Sequence, residues 1–236
     1  MKSMKLRLLT AAAIAAVAAM PARGALVISE VVFNEVGGDV TGEWIEIFNT
    51  GPAAIDLTNY KIGDEETSGG TTATEAIHRF PAGSSIAPGA VQIIAVSATT
   101  FNTVYGFLPK YEANSTNALV PDMLGYAAWD PDGGAFNLAN GGDQVVLING
   151  ADVIVDAVSW GTSTFAFNPA LNTALDGQSY QRINAYVDTN TAADWEAVAG
   201  ATAVARSTPG TVPVPEPASL VLALAMASLG LAMRRS

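Results

Sequence analysis

Short apolar segments with a period of two dominate the hydrophobic pattern of the chain. In the segment 43–49, Ile45 and Ile47 alternate with Trp44 and Phe48, which is the pattern of a strand with two different faces. The same criteria predict a series of strands over residues 26–33, 43–49, 54–57, 59–62, 91–96, 144–148 and 153–160. None of the core segments has a helical apolar stripe. Many short strands at close spacing predict an all-β sandwich or barrel.

Turn residues separate the predicted strands. Asn149-Gly150 lies between the last two strands and is a strong hairpin signal. Residues 98–135 depart from this spacing and form a long, Asn-rich insertion, which we expect to be functional or disordered. Its aromatic side chains either stack on sugars or seal an edge of the sandwich, and we favour packing: Tyr105, Phe107, Tyr111, Tyr126 and Trp129.

Residues 1–25 have the pattern of a secretory signal peptide. Lys2, Lys5 and Arg7 precede the apolar run Leu8–Met20, which is too short to span a bilayer comfortably, and small residues follow it. A buried N-terminal helix is the alternative, but a proline and a glycine interrupt the segment where a cleavage site belongs. The sequence therefore predicts export and cleavage by signal peptidase.

Residues 211–236 form a second targeting segment. Pro215-Glu216-Pro217 resists regular structure, an apolar run follows over residues 218–233, and Arg234-Arg235 close the chain. This order resembles the PEP-CTERM sorting signal. The resemblance implies recognition by exosortase, a membrane-embedded protease, with the apolar helix in the membrane before processing. It also implies a Gram-negative host that makes exopolysaccharide, and a destination at the cell surface or in the extracellular matrix.

The region between the two predicted targeting segments is strongly acidic. Residues 26–215 keep five of the 11 basic and 21 of the 22 acidic residues, a net charge of −16. Such a domain repels phosphate backbones, which makes nucleic acid an unsuitable partner. The chain has no cysteine, so disulfides and thiol chemistry are excluded. The positive mean hydropathy of +0.29 comes largely from the two apolar ends.

The blocks between the two ends also follow one another as in a known family. They are "ISEVVFNE", "EWIEIFN", "IDLTNYKIGD", "IAPGAVQIIA", "FNLANGGDQVVLING", "VIVDAVSWG", "SYQR" and "STPG". In this order they resemble the lamin-tail domain, and the resemblance covers nearly all of residues 26–210. It implies an immunoglobulin-like β-sandwich of the lamin-tail type, into which residues 98–135 are inserted. Residue type alone further suggests an ion pair between Glu43 and Arg182 across the sandwich.

Few residues of the chain suggest a catalytic or metal-binding site. His78 is the only histidine, which disfavours a zinc site or a catalytic triad. Calcium is the most serious ligand candidate, because Asp130 and Asp132 lie in a Gly-rich loop that can turn carboxylates and carbonyls onto one cation. The segments 64–66 and 188–190 are further acidic candidates. Turn geometry is the competing explanation for all of them.

Together these observations predict an exported, non-enzymatic surface or matrix protein with an adhesive or structural role. We expect no cofactor other than calcium, and an exopolysaccharide or a surface protein as partner. The alternatives are a calcium-dependent glycan-binding module and, less favoured, a polysaccharide hydrolase, because paired carboxylates are abundant.

Overall fold

A computed structural model describes residues 26–36, 40–70, 74–133 and 137–213. The predicted signal peptide at 1–25 lies outside the described residues, and so does the predicted tail at 211–236 except for its first three residues. The sorting-motif residues Pro215, Glu216, Pro217, Arg234 and Arg235 also lie outside the described residues. Within the described ranges no helix is long and apolar enough to cross a bilayer.

The larger of two main sheets has six strands, which in chain order are β1 (Leu26–Val32), β2 (Trp44–Asn49), β7 (Val91–Ser97), β8 (Tyr111–Asn114), β12 (Tyr180–Arg182) and β13 (Trp195–Ala197). Their order across the sheet is β13-β12-β1-β2-β7-β8. All neighbours are antiparallel except β7 and β8, which run parallel.

The second main sheet has five antiparallel strands, which are β4 (Lys61–Gly63), β5 (Ile77–Arg79), β9 (Leu124–Gly125), β10 (Gly142–Ile148) and β11 (Ile154–Gly161). Their order across the sheet is β11-β10-β4-β5-β9. A two-stranded ribbon pairs β3 (Ile55–Asp56) with β6 (Ser85–Ile86). The predicted all-β immunoglobulin-like sandwich is confirmed, and each predicted strand is present with its ends shifted by a few residues.

One apolar core fills the space between the two sheets. Ile45 and Ile47 of β2 contribute to it from the first sheet, and Val145 and Leu147 of β10 contribute from the second. Trp160 of β11 stacks on Phe33 with ring centroids 4.1 Å apart, and its indole N–H donates to the carbonyl of Ala139 at 2.9 Å. Aromatic stacking of this kind adds about 1 kcal/mol to the hydrophobic gain from burial.

The insertion at 98–135 wraps around one edge of the sandwich and adds a strand to each sheet, β8 and β9. It begins with a helix, α1 (Ala98–Tyr105), which the period-two pattern did not predict. The helix starts because the Ser97 hydroxyl accepts from the Thr100 N–H at 3.2 Å, and it ends at Gly106, whose φ of 79° suits glycine.

Aromatic residues of the insertion cover the outer faces of both sheets. Phe101 and Tyr105 of α1 pack against Trp44 of β2, and Trp129 packs against Ile77 and neighbouring apolar residues of the second sheet. The preference for packing over an exposed sugar-stacking surface therefore holds for most of these side chains.

The hairpin predicted at Asn149-Gly150 joins β10 and β11, but its conformation differs from a two-residue turn. Asp152, not Gly150, has a positive φ, of 57°. The Asn149 side-chain oxygen accepts from the N–H groups of Ala151 and Val153 at 2.9 and 3.1 Å, which fixes a longer loop.

Candidate functional site

A cluster of carboxylates occupies one end of the sandwich. Glu43 precedes β2 in one sheet, while Asp64 follows β4 and Asp143 is the second residue of β10 in the other sheet. Because β4 and β10 are antiparallel, the end of one lies beside the start of the other, and the two acids meet there. Glu43, Asp64 and Asp143 are all buried, with exposures of 1%, 0% and 7%.

The three buried acids share one structural task, which is to hold the backbone of residues 137–139. Glu43 accepts from the Leu138 N–H at 2.9 Å, Asp64 from the Asn137 N–H at 3.1 Å, and Asp143 from the N–H of Ala139 at 2.7 Å. Carboxylates that accept backbone N–H groups in this way act as loop anchors.

Asp64 also fixes the entry to β5. Its other oxygen accepts from the Ala76 N–H at 2.6 Å. The neighbouring Gly63 makes this approach possible, because a Cβ at that position would lie 1.9 Å from the Ala76 carbonyl oxygen. The glycine is therefore required by contact distance rather than by an unusual φ.

Among the described residues, the charged groups that shift the pKa values of these three acids are other acids. Burial raises the pKa of Glu43 to about 9, and repulsion from Glu35, Asp64 and Asp143 adds to the shift. Burial likewise raises the pKa of Asp64 to about 8 and that of Asp143 to about 6. Glu43 and Asp64 are therefore protonated at neutral pH.

A more accessible group of three carboxylates borders this cluster. One oxygen each from Glu65, Glu66 and Glu75 lies within 4.8 Å of the others, with Glu65 buried and the other two half-buried. Burial and then repulsion from Glu66 and Glu65 raise the pKa of Glu75 to about 7. Gln144 donates to Glu66 at 2.8 Å and thereby links the group to β10. Such an arrangement of oxygen ligands suits a hard cation such as Ca²⁺.

The predicted calcium residues Asp130 and Asp132 do not belong to this group. Asp130 is buried beside His78, and Asp132 is exposed. Burial lowers the pKa of His78, and the opposing effect of Asp130 is smaller. The sequence analysis named three acidic segments as calcium candidates. Among the described residues, the segment 64–66 contributes two carboxylates to the three-glutamate group.

The predicted ion pair between Glu43 and Arg182 is wrong. Arg182 instead donates from Nη2 to both carboxylate oxygens of Asp156 at 2.9 and 2.8 Å, and from Nε to the Ile28 carbonyl at 2.7 Å. In the six-stranded sheet, Arg182 is level with the middle of β1, whereas Glu43 comes just before the first residue of β2. Measured along the strand direction, the two residues are on the order of 13 Å apart.

Arg182 nevertheless ties the two sheets together. Asp156 belongs to β11 and Arg182 to β12, so their ion pair crosses one edge of the sandwich. Asp188 adds a contact at 3.4 Å and Asp194 one at 3.8 Å, while the guanidinium carbon lies 4.7 Å from the Trp195 ring centroid. Asp188 is thus engaged by Arg182, which accounts for the acidic segment 188–190.

A shallow groove on the outer face of the six-stranded sheet contains the exposed aromatic side chain of the insertion. Phe107 is 41% exposed and Leu108 is 36% exposed. They border a cavity of about 370 Å³ with Val91, Lys110 and Gly210. Among the aromatic residues of the insertion, Phe107 in this groove best fits the sugar-stacking alternative.

Two buried carboxylates were not recognised as a site from sequence. Glu30 of β1 and Glu46 of β2 are paired in register and are 1% and 0% exposed. A signal was present, because both interrupt strands that are otherwise largely apolar and Glu46 shares a face with Trp44 and Phe48.

Comparison with known proteins identifies the fold family. A model of the Lamin Tail Domain matches residues 19–162, a range that ends before β12 and β13. Among solved structures, a DUF4876 family protein from Bacteroides thetaiotaomicron VPI-5482 is similar at a TM-score of 0.50 and 14% sequence identity. The similarity covers 72% of this chain and 70% of that chain. At this identity it concerns the fold alone. No curated protein matches the sequence.

Proposed function

The chain belongs to the Lamin Tail Domain family, and from that premise we propose that it is an exported, non-enzymatic module of the cell surface or exopolysaccharide matrix. A fold family alone does not define a function. The observation that carries the proposal is the three-part C-terminal sequence, in which Pro215-Glu216-Pro217, an apolar run and Arg234-Arg235 follow in order. Signal peptidase and exosortase are the processing enzymes in this proposal.

The charge arrangement in the described residues supports a binding or structural role. Glu43, Asp64 and Asp143 anchor a loop, and Arg182 with Asp156 joins the sheets, so these ionisable groups serve the fold. A domain whose formal net charge is −16 also stays soluble in an extracellular matrix.

Intact-mass measurement of the protein from its native host tests the proposal. We expect the N-terminal segment to be absent and the C-terminal segment to be cut or modified, in material from the envelope or matrix fraction. A matched strain carrying Glu216→Ala should retain the C-terminal mass. Recovery of the uncut 236-residue chain from the cytosol would refute export.

Calcium-dependent glycan binding is the second candidate function. The observation that favours it is the approach of Glu65, Glu66 and Glu75 to within 4.8 Å. Thermal melts with Ca²⁺ and with a chelator test this candidate, because a ligand that binds only the folded state raises its midpoint. If the three glutamates bind Ca²⁺, Glu75→Gln should abolish the calcium-induced rise in the melting midpoint. If the predicted Asp130–Asp132 loop binds Ca²⁺ instead, Asp132→Asn should abolish it. No shift in the parent chain would refute both sites.

The hydrolase alternative uses the same carboxylates. Glu75, with a pKa of about 7, is suited to proton donation, and Glu66 lies beside it. Release of reducing ends from matrix polysaccharide, lost in Glu75→Gln, would favour catalysis over cation binding. Absence of turnover in the parent chain would remove this alternative.

A further inference from the structure

The groove beside the insertion brings an exposed aromatic ring and a cation to one place on the outer face of the six-stranded sheet. Val91 and Ile93 of β7 line it from the sheet, and both belong to apolar clusters on that face. Residues 107–110, which connect α1 to β8, line it from the insertion. Its cavity of about 370 Å³ lies within the roughly 300–1,000 Å³ that small-ligand sites occupy.

The aromatic ring of the groove is held in a fixed orientation. Phe107 packs on Phe101 of α1, with ring centroids 5.2 Å apart and ring planes at 87°. Phe101 is itself buried against Trp44 of β2. Phe107 nevertheless remains 41% exposed. A ring that is ordered before a ligand arrives offers contact area at a small cost in conformational entropy.

The backbone around this ring is also fixed. Pro109 is buried and has a restricted φ, and the Lys110 N–H donates to the Ile93 carbonyl at 3.0 Å. Gly210 borders the groove, where its N–H donates to Glu46 at 2.7 Å. A Cβ at Gly210 would meet no atom within 4 Å, so the groove is open on that side. The groove is therefore preformed in the folded domain.

Lys110 supplies hydrogen-bond donors that the fold does not use. Its side chain is exposed, and no carboxylate of the described residues lies within 4.0 Å of its ammonium group. Lys61 and Arg182, by contrast, form ion pairs with Asp152 and Asp156. The residues that line the groove include no acid. The three N–H donors of the Lys110 ammonium are therefore available to oxygen atoms of a ligand.

Charge at two length scales favours an uncharged ligand. The formal net charge of −16 over residues 26–215 repels a polyanion. Within the groove, the Lys110 ammonium repels a cation, and no lining carboxylate offsets it. A neutral sugar ring satisfies both conditions. It presents a face of C–H groups to an aromatic ring, and its hydroxyl oxygens accept hydrogen bonds from an ammonium group.

We propose that this groove binds a neutral polysaccharide, with one sugar ring stacked on Phe107 and a hydroxyl oxygen accepting from Lys110. The proposal gives the chemical class of the matrix ligand, and its biological role rests on the proposed function, whereas the binding itself does not. Because no carboxylate lines the groove, binding there does not require Ca²⁺. This independence separates the groove from the group formed by Glu65, Glu66 and Glu75.

Calorimetric titration of the full chain tests the proposal. The probes are neutral hexasaccharides of glucose, mannose and galactose, in a detergent without a sugar headgroup. We expect saturable binding of at least one probe, with the same affinity in Ca²⁺ and in chelator. Phe107→Ala should weaken this binding by at least about tenfold, as for a central aromatic contact. Lys110→Met should weaken it by about threefold to tenfold, because one donated hydrogen bond is lost.

Two substitutions outside the groove are matched controls. Phe165→Ala removes a phenylalanine that is 44% exposed, and Arg79→Gln removes an exposed cation. Both should leave the affinity unchanged. Circular dichroism checks that each variant is folded. If Phe107→Ala does not fold, Phe107→Leu replaces it, because leucine keeps an apolar contact with Phe101 but has no ring face, and the same tenfold loss is expected.

Absence of binding by all three neutral probes would overturn the groove site, as would equal losses in Phe107→Ala and Phe165→Ala. Tighter binding of hexagalacturonate than of every neutral probe would overturn the choice of an uncharged ligand. Loss of binding in chelator would move the site to the three glutamates. Recovery of the uncut chain from the cytosol, with sugar binding intact in vitro, would instead refute the proposed function and leave the groove site standing.

Discussion

Glu43→Gln should stabilise the domain at neutral pH, although it removes a charge that the unfolded chain exposes to water. With a pKa raised by burial to about 9, Glu43 is protonated in the folded state at pH 7. In the unfolded chain it ionises near pH 4.5. Folding must therefore take up a proton, which weakens stability by about 1.4 kcal/mol for each pH unit above 4.5.

By this reasoning the wild-type domain loses roughly 3 kcal/mol between pH 4.5 and pH 7 through Glu43 alone. Glutamine has nearly the shape of the protonated acid and keeps an oxygen that accepts from the Leu138 N–H, but it does not titrate. The unfolding free energy of Glu43→Gln should equal that of the wild type near pH 4.5. At pH 7 it should be higher than that of the wild type by up to about 3 kcal/mol.

Urea unfolding at pH 4.5, 5.5 and 7 in the presence of a chelator measures this difference. Glu196→Gln, at an exposed position of β13, is the matched control and should show no pH-dependent gain. A Glu43→Gln variant that is less stable than wild type at pH 7 would refute the reasoning. It would mean that Glu43 is ionised in the folded state and that the cluster contains a compensating cation.

Two further substitutions test the packing of the sandwich. Arg182→Lys should lower the unfolding free energy by about 3 kcal/mol, because a single ammonium group cannot replace a buried guanidinium whose Nη2 contacts Asp156 while its Nε donates to the Ile28 carbonyl. In urea melts Arg79→Lys, at an exposed position, should change stability by less than about 0.5 kcal/mol, and equal effects would contradict the role of the buried ion pair. Gly63→Ala should destabilise by more than about 2 kcal/mol, since its Cβ would meet the Ala76 carbonyl oxygen. A Cβ at Gly125 would have no atom within 4 Å, so Gly125→Ala should unfold near the wild-type midpoint. Similar losses of stability in the two variants would argue against the close approach of Gly63 to the Ala76 carbonyl.

Local sequence patterns identified seven of the thirteen strands in the described part of the chain, and they missed the short strands β5, β6, β8, β9, β12 and β13. Alternation at 43–49 predicted β2 and the separation of Ile45 and Ile47 from Trp44 and Phe48, because successive side chains of a strand face opposite sides whatever packs against them. Asn149-Gly150 predicted the β10–β11 hairpin for the same local reason. The helix at Ala98–Tyr105 was missed because eight residues with two buried side chains leave little periodic signal.

By itself, then, the sequence determined the fold class, the acidic charge and the candidate targeting segments, since these depend on composition and on short-range periodicity. Only the tertiary structure decided which charged groups meet. Arg182 contacts Asp156 rather than Glu43, and Glu46 lies opposite Glu30 and accepts from the N–H of Gly210, a residue 164 positions away. Partners of buried charges are set by strand order and register, and these follow from the packing of the whole chain rather than from any segment of it.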